Sequence, residues 1–303
     1  MDLKKFLFHN LYCPVNENVS LAQYCTFGAG GTAEYLVAPS NVSDIVLLMQ
    51  ARKQYQFPLY YLGGGSNVLF SDVEGIVVHS TGFRSLNYIE CERNKIIIEV
   101  GSGYPLVSIV KESLTMGFSG FEFAVGIPGT VGGAVIGNAG TSIKSIGELL
   151  LWVECVTPDG SVEKLDSKDI KSSYRYSSLS DKGCFITKCA FEVQREDISK
   201  LGLLREKSLE YLSMRSNQPL SRKSAGCIFK NPVNDFAGKL LDESGCKGMR
   251  VGGAVVSEMH ANFCINSYNA SVLDIKELVY KCRDTVYKKK GILLDFEVKM
   301  FGF

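Results

Sequence analysis

The chain has 303 residues, and 46% of them are apolar. A chain of this size and composition can form more than one hydrophobic core, so we expect two or three domains. Lys and Arg number 33 against 32 Asp and Glu, which gives a net charge of +1. This balance excludes the strongly basic surface that attracts nucleic acids or anionic membranes. An anionic ligand must therefore be bound by a local group of residues.

The N-terminal sequence and the cysteines indicate a cytoplasmic protein. The first apolar stretch is interrupted by His9 and Asn10, which argues against a secretory signal, and no apolar run approaches the roughly 18 residues of a membrane span. The ten cysteines contain no C-x-x-C pair, and Cys184 and Cys189 are the nearest two. We therefore expect reduced thiols, no metal site and no membrane association.

Hydrophobic periodicity predicts the elements of the first half of the chain. A strand at 35–37, a helix at 42–54 and a strand at 59–62 precede a glycine turn. A strand at 96–100 follows, and then a helix that Pro105 can start. These elements alternate as in a small α/β unit.

A segment rich in glycine, 117–140, is predicted to have little regular structure. Strands are predicted at 153–156 and near 184–191, and a polar helix at 199–214. We place domain boundaries so that the domains are 1–82, 83–198 and 199–303.

The last domain is predicted to contain one amphipathic helix and a terminal strand. Ser271 and Asp274 have the spacing of a capping box, and the apolar positions that follow share one helical face. The run at 292–298 is predicted to be the final strand.

Two glycine-rich segments, 63–67 and 126–133, are candidates for phosphate binding. Glycine lets backbone N–H groups approach phosphate oxygens closely, although a single cluster of this kind is as often only a tight turn. Neither segment is a Rossmann G-x-G-x-x-G, and no G-x-x-x-x-G-K-[ST] occurs. The pattern thus predicts a phosphate-bearing cofactor without naming it.

A series of motifs carries a resemblance to the UDP-N-acetylenolpyruvoylglucosamine reductase family. The series runs from about residue 20 to the C terminus, and its most specific members are the blocks at 224–232 and 257–263. In order, the motifs are TFGAGG at 26–31, GGGSN at 63–67, GIPGTVGG at 126–133, NAG at 138–140, YR at 174–175, QPL at 218–220, SAGCIFKNP at 224–232, GGA at 252–254, SEMHANF at 257–263 and FEV at 296–298.

This resemblance implies an α+β fold in which a two-subdomain FAD-binding region of the vanillyl-alcohol-oxidase (PCMH) type precedes a C-terminal α/β substrate-binding domain. It implies FAD held without a covalent bond, since the three histidines lie outside the glycine-rich segments in the sequence. It also implies that NADPH reduces the flavin, which then reduces the enolpyruvyl ether of UDP-N-acetylglucosamine enolpyruvate to UDP-N-acetylmuramate for peptidoglycan synthesis. Hydride passes to the enol CH2, and C2 is then protonated.

The cofactor residues implied by the resemblance lie in the glycine-rich segments. They are Gly63, Gly64, Gly65, Ser66, Asn67, Gly126, Ile127, Pro128, Gly129, Thr130, Gly132, Gly133, Asn138, Ala139 and Gly140.

Cys227 occupies the position where most of the family has the proton-donating serine. A thiol has a reference pKa of about 8.5, so near neutrality it is mostly protonated and is a stronger acid than a serine hydroxyl. From composition alone a cysteine is more often a buried small apolar residue. Its place after Ala225 and Gly226, in the most specific block, favours the role of proton donor at C2.

Two further residues have catalytic roles by the same resemblance. Arg175 matches the arginine that pairs with the substrate carboxylate and polarises the enolate. The alternative is a solvent-exposed arginine without a catalytic role, which is the usual case for an arginine on a polar loop. Glu297 matches the glutamate that orients the intermediate or helps to deliver the proton, although strand alternation alone favours a solvent-facing carboxylate.

Substrate contacts are expected from Lys230 and Asn231, with Arg215 and Tyr174 beside them. The resemblance carries over Glu258, His260 and Asn262 more weakly, and we assign His260 no acid–base role. The short passage from residue 263 to the last helix is that of the family's shorter form, which lacks an insertion in the substrate domain.

Two other functions remain open at this point. A flavin oxidase of similar fold would react rapidly with oxygen and ignore UDP-sugars, and a non-catalytic nucleotide-sugar or flavin-binding protein would turn over neither substrate. The blocks at 224–232 and 257–263 argue against the first, and the joint presence of Arg175, Lys230 and Glu297 argues against the second. We expect a monomer that binds neither nucleic acid nor membrane.

Overall fold

A computed structural model describes residues 2–303, which form eight α-helices and seventeen β-strands. The helices are α1 (Leu3–Asn10), α2 (Val42–Tyr55), α3 (Leu106–Thr115), α4 (Val131–Ile136), α5 (Leu179–Lys182), α6 (Leu201–Ser213), α7 (Ala237–Glu243) and α8 (Val272–Lys290). The strands are β1 (Val15–Ser20), β2 (Thr32–Val37), β3 (Leu59–Leu62), β4 (Val68–Phe70), β5 (Val73–His79), β6 (Leu86–Glu90), β7 (Lys95–Gly101), β8 (Phe118–Ser119), β9 (Leu150–Val156), β10 (Val162–Asp166), β11 (Ser172–Ser173), β12 (Tyr176–Ser177), β13 (Phe185–Arg195), β14 (Arg250–Val251), β15 (Ala254–Val256), β16 (Cys264–Asn266) and β17 (Lys299–Phe301).

The strands assemble into two larger and three smaller sheets in the described part of the chain. The first larger sheet has the order β1-β2-β5-β3, with β3 and β5 parallel. The second has the order β10-β9-β13-β7-β6 with β8 paired to β13, and its pairs are antiparallel. The smaller sheets are β11-β12, β14-β15-β16 and the parallel pair β17-β4.

The backbone divides into two compact units. The first comprises residues 2–16, 35–64 and 75–214, and the second comprises 17–34, 65–74 and 215–303. The prediction of three domains with boundaries at 82 and 198 therefore remains a proposal, and α6 belongs to the first unit.

Each unit has its own hydrophobic core. In the first unit Phe121 and Phe191 meet edge to face with ring centroids 5.4 Å apart in one cluster, and a second cluster packs beneath α2. In the second unit the predicted apolar face of α8 is buried at Ile275, Leu278 and Val286.

Local sequence explains the ends of α8. Ser271 and Asp274 form the predicted capping box, which satisfies backbone donors at the helix start. Three lysines occupy the last turn, where cations interact favourably with the helix dipole, and Gly291 ends the helix at φ +69°.

Most predicted elements are confirmed, but the terminal strand is not. The strand predicted at 59–62 and the helices predicted at 42–54 and 199–214 match β3, α2 and α6 within two residues at each end. The run at 292–298 contains only an isolated bridge at Phe296, and the final strand is β17. Apolar alternation placed the strand too early because the backbone at 297 and 298 is irregular.

The glycine-rich segment 117–140 is more regular than predicted, since it contains β8 and α4. Within residues 2–303, none of the ten cysteines forms a disulfide. No helix in the same range is long and apolar enough to cross a membrane.

Candidate functional site

The two glycine-rich segments meet in the first unit. Gly63 follows β3, and a Cβ there would lie 2.5 Å from Oγ1 of Thr130. A Cβ at Gly64 would lie 2.8 Å from the Cα of Gly129. The two turns therefore touch through bare backbone, and side chains on either glycine would fill the space between them.

The end of the second segment is held by the protein's own hydrogen bonds. The amides of Val131 and Gly132 donate to the carbonyls of Tyr104 and Ser102, at 2.9 and 2.8 Å. Thr130 caps α4 through its side chain, which accepts from the Gly133 amide at 3.5 Å. The open part of the segment is thus the turn at 126–130, where Gly126 and Gly129 have φ values of +71° and +113°.

These turns fit the phosphates of a dinucleotide such as FAD. They offer backbone without side chains, and Gly126 and Gly129 have the positive φ at which N–H groups can be turned toward an anion. The residues that would hold the pyrophosphate are Gly63, Gly64 and the turn at 126–130.

His79 lies beside the first glycine segment, although the sequence separates them by sixteen positions. In the parallel pair of β3 and β5 it stands opposite Leu62, and the backbone of Gly63 is hydrogen-bonded to it. Burial lowers its pKa below the ordinary value, the Gly63 contact opposes this, and Arg84 adds to the lowering. The ring Nδ1 lies 3.0 Å from Oγ1 of Thr81. Sequence distance from the glycines was therefore a poor guide to its position.

Arg175 lies in the tight turn between β11 and β12 in the first unit. Ser173 pairs with Tyr176, so Tyr174 and Arg175 form a two-residue turn, and Arg175 has φ +53°. This left-handed conformation is costly for a residue with a side chain and is often found at functional sites. The guanidinium Nη1 donates to the carbonyl of Gly140 at 3.1 Å, which joins the predicted catalytic arginine to the last glycine of the NAG motif.

Cys227 lies on an extended segment that is hydrogen-bonded on both sides in the second unit. On one side Cys227 bridges Phe263, and the Ile228 amide donates to the carbonyl of Asn262 at 2.9 Å. On the other side the Lys230 amide donates to the carbonyl of Asp295 at 2.8 Å. Cys227 is half-buried, and these bonds fix its backbone.

Asn262 fixes this segment with its side chain. Its Oδ1 accepts from the Phe229 amide at 2.9 Å and its Nδ2 donates to the Phe229 carbonyl at 2.8 Å. Both residues are 2% exposed, so water does not compete for these bonds. Sequence reasoning gave Asn262 only a weak role, because a side chain that binds backbone leaves no periodic signal.

Glu297 lies directly across from the Cys227 segment. The Ile228 carbonyl accepts from the amides of both Glu297 and Val298, at 2.8 and 3.3 Å. Two residues opposite one is the arrangement of a β-bulge, which turns a side chain away from regular alternation. The argument from alternation, which favoured a solvent-facing Glu297, therefore does not apply at this position.

Asn67, predicted as a cofactor residue, is hydrogen-bonded to the segment that carries Glu297. Its Nδ2 donates to the Glu297 carbonyl at 3.1 Å, and its carbonyl accepts from the Lys299 amide at 3.0 Å. Gly65, Ser66 and Asn67 belong to the second unit, whereas Gly63 and Gly64 belong to the first.

The predicted substrate ligands are partly engaged by neighbours. Asn231 is exposed, and its Oδ1 accepts from the Ala237 amide at 3.0 Å, while Nε of Arg215 donates to Oε1 of Gln218 at 3.1 Å. Lys230 is half-buried and Tyr174 is 52% exposed.

His260 has a structural environment. Its Nδ1 accepts from the Asn262 amide at 3.2 Å, and its ring packs edge to face on Phe263 at 5.1 Å between centroids. Burial, with Lys247 nearby, lowers its pKa. These contacts fix the orientation of the ring.

Comparison with known proteins gives two family matches. Residues 33–166 match the FAD binding domain family, and residues 218–301 match the family described as "UDP-N-acetylenolpyruvoylglucosamine reductase, C-terminal domain". The first range contains the paired glycine turns, and the second contains the Cys227 segment and Glu297. The fold is therefore α+β, with an FAD-binding region followed by the reductase family's C-terminal domain.

Relatives named UDP-N-acetylenolpyruvoylglucosamine reductase match nearly the whole chain. The protein of Prochlorococcus marinus is 35% identical over 95% of this chain and 98% of its own, and that of Caldicellulosiruptor saccharolyticus is 36% identical over 93% and 90%. The crystal structure of the reductase from Thermus caldophilus has a TM-score of 0.81 and 31% identity over 96% of this chain and all of that one.

A more distant likeness concerns the fold alone. A variant of Phl p 4 described as a glucose oxidase has a TM-score of 0.50 and 15% identity, over 65% of this chain and 44% of its own. The near-complete match to the reductases, in both the flavin-binding range and the C-terminal range, decides the family. The chain belongs to the UDP-N-acetylenolpyruvoylglucosamine reductase family.

Proposed function

We propose that this protein is an NADPH-dependent flavoenzyme that reduces the enolpyruvyl ether of UDP-N-acetylglucosamine enolpyruvate to UDP-N-acetylmuramate. The product is a precursor of peptidoglycan. The observation that carries the proposal is the segment at 225–232, which holds the half-buried Cys227 between two hydrogen-bonded neighbouring segments, one of which carries Glu297. The same proposal includes a cytoplasmic monomer without nucleic-acid or membrane partners.

The cofactor is FAD, which would be held by Gly63, Gly64 and the turn at 126–130. When bound, it passes hydride equivalents from NADPH to the CH2 carbon of the substrate. The remaining cofactor residues of the sequence analysis, in the segments at 65–67 and 132–140, are part of the same proposal.

The protein's own residues handle the charge and the proton. Addition of hydride to CH2 leaves negative charge at C2, which is shared with the neighbouring carboxylate. Arg175 pairs with that carboxylate as a permanent bidentate cation and so stabilises the charge. The S–H bond of Cys227 breaks as its proton forms the C2–H bond, and the thiolate then regains a proton from water.

The other polar residues act on the substrate's position. Glu297 orients the developing intermediate beside the donor. Lys230 supplies the positive charge that a diphosphate needs in a chain with almost no net charge, and Asn231, Arg215 and Tyr174 contact the UDP-sugar.

Anaerobic measurement of the two half-reactions tests this function. NADPH should reduce the FAD-loaded protein, and the flavin should be reoxidised only when the enolpyruvyl substrate is added. In Cys227→Ala the reoxidation should slow by about a hundredfold or more, since positioned general acids contribute roughly 10²–10⁴-fold. Reduction by NADPH should be unaffected, and Cys227→Ser, which keeps a donor, should retain more activity than Cys227→Ala.

The pH dependence separates a proton donor from a packing residue. The donor must be protonated, so reoxidation should be constant at low pH and fall as pH rises through the thiol pKa, whose reference value is about 8.5. Cys227→Ser should lack that alkaline fall. Full activity of Cys227→Ala would refute the role of Cys227, and a flavin that the substrate never reoxidises would refute the reductase activity.

A further inference from the structure

Asn138, predicted as a cofactor residue, uses its side chain to hold the turn that carries Arg175. Its Nδ2 donates to the carbonyl of Ser173 at 2.8 Å, and its Oδ1 accepts from the amide of Gly147 at 3.1 Å. The residue is 6% exposed. Both ends of the amide are therefore committed to backbone groups away from solvent, and water cannot easily replace them.

The backbone conformation of Asn138 directs the amide to these partners. Asn138 has φ +42°, in the left-handed region that asparagine tolerates better than most residues with a side chain. A Cβ at Gly147 would lie 2.8 Å from Oδ1 of Asn138 and 3.2 Å from Oγ of Ser172. Glycine at 147 therefore leaves room for the Asn138 amide to lie between residue 147 and the turn that carries Arg175.

Arg175 is thus held at two points by one short segment. Asn138 bonds the backbone at Ser173, the residue that pairs with Tyr176 to close the turn. Two residues further along, the carbonyl of Gly140 accepts from the guanidinium of Arg175. The NAG motif therefore fixes both the backbone on which the arginine stands and the direction of its cation.

We propose that Asn138 is a positioning residue for Arg175 and that its amide contributes to flavin reoxidation by the substrate, not to binding of FAD. This inference rests on the proposed function, because it needs Arg175 to act on the enolpyruvyl carboxylate. Bidentate recognition of a carboxylate is sensitive to small displacements of the guanidinium. Loss of the amide frees the turn, and the cation loses its alignment.

Asn138→Gly is the cleanest perturbation, because glycine keeps the positive φ without strain while it removes the amide. We expect flavin reoxidation by the substrate to slow by about tenfold or more, within the range that misplacement of a positioned group causes. Flavin reduction by NADPH and the Kd for FAD, measured by fluorescence titration of the apo-protein, should change by less than about twofold. Asn138→Asp, which keeps the acceptor for Gly147 but loses the donor for Ser173, should give the same pattern if Asn138→Gly does not fold.

A double-mutant cycle with Arg175→Ala tests whether the effect passes through the arginine. If it does, the variant with both changes reoxidises its flavin no more slowly than Arg175→Ala alone, since residues that act as one unit are not additive. Asn266→Ala is the matched control: Asn266 is 7% exposed, donates to the Phe27 carbonyl at 2.9 Å and accepts from the Ala270 amide at 2.7 Å. It should lower stability in the same way without a specific loss in reoxidation.

The outcomes separate the two hypotheses. Effects of Asn138→Gly and Arg175→Ala that multiply, or a weaker Kd for FAD that accounts for the slower reoxidation, would overturn the positioning role and return Asn138 to the cofactor residues. Unchanged reoxidation in Arg175→Ala would instead refute the proposed role of Arg175, and the inference would fall with it.

Discussion

Removal of the Asn262 amide should destabilise the second unit strongly. Asn262→Ala leaves the N–H and the C=O of Phe229 without their partners at 2.9 and 2.8 Å, in a place where both residues are 2% exposed. A buried polar group that loses its partner costs about 1–3 kcal/mol. With two such groups and some relaxation, we expect the free energy of unfolding to fall by about 3 kcal/mol.

Asn262→Asp adds a dependence on pH with a definite sign. The carboxylate can still accept from the Phe229 amide, but when ionised it faces the Phe229 carbonyl without a proton to donate. Burial raises the pKa of the introduced group above its unfolded value of about 3.9. A raised folded pKa gives stability that is present at low pH and is lost as pH rises through that pKa. The variant should therefore lose more stability, relative to the wild-type protein, at pH 8 than at pH 5.

Urea unfolding at both pH values measures these losses. Asn87→Ala, at an exposed position of β6, is the control and should change stability by less than about 0.5 kcal/mol. Flavin reoxidation should also slow in Asn262→Ala, because Phe229 is two residues from Cys227. A loss below about 1 kcal/mol in Asn262→Ala, or an equal loss at pH 5 and pH 8 in Asn262→Asp, would refute this account.

Two further changes test the cofactor turns and the last helix. In Gly64→Ala the new Cβ would meet the Cα of Gly129 at 2.8 Å, so Kd for FAD should rise by about tenfold, from roughly 1–3 kcal/mol of overpacking. Gly202→Ala, whose Cβ meets nothing within 4 Å, should bind FAD normally, and equal affinity in both variants would contradict the role of the turn. Ser271→Ala removes the capping box of α8 and should cost about 1 kcal/mol in urea unfolding. Thr285→Ala in the same helix, whose hydroxyl only bonds the Lys281 carbonyl, should cost less, and the reverse order would contradict the capping argument.

Periodicity and local signals were enough to predict several of the regular elements. The cap at Ser271, the apolar face of α8 and the strand before Gly63 each depend on residues near one another in the chain, and each is confirmed. The contact between Gly64 and Gly129 brings together the two glycine-rich segments that the sequence offered as candidates for phosphate binding.

Contacts between distant residues were beyond these signals. The bulge at Glu297 and Val298 arises from one carbonyl of Ile228, about seventy positions away, and it both ended the predicted terminal strand and invalidated the alternation argument for Glu297. His79 was judged by its distance from the glycines along the chain, whereas the register of β3 and β5 brings it to Gly63. Neither pairing leaves a pattern of hydrophobicity or charge in the local sequence from which it could be predicted.

Three asparagines, Asn138 in the first unit and Asn67 and Asn262 in the second, share one role. Asn67 binds the carbonyl of Glu297, Asn138 binds the residue that closes the turn of Arg175, and Asn262 binds both backbone groups of Phe229, beside Cys227. Each predicted catalytic residue therefore has an asparagine amide on its own backbone or within two residues of it.

An amide suits this task because it offers a donor and an acceptor without charge. A carboxylate or a lysine in the same place would add a charge that perturbs the thiol, the guanidinium or the bound carboxylate. Charged replacements such as Asn138→Asp and Asn262→Asp should therefore harm the reaction more than their loss of stability explains. Activity that tracks stability alone in both variants would reduce Asn138 and Asn262 to packing residues.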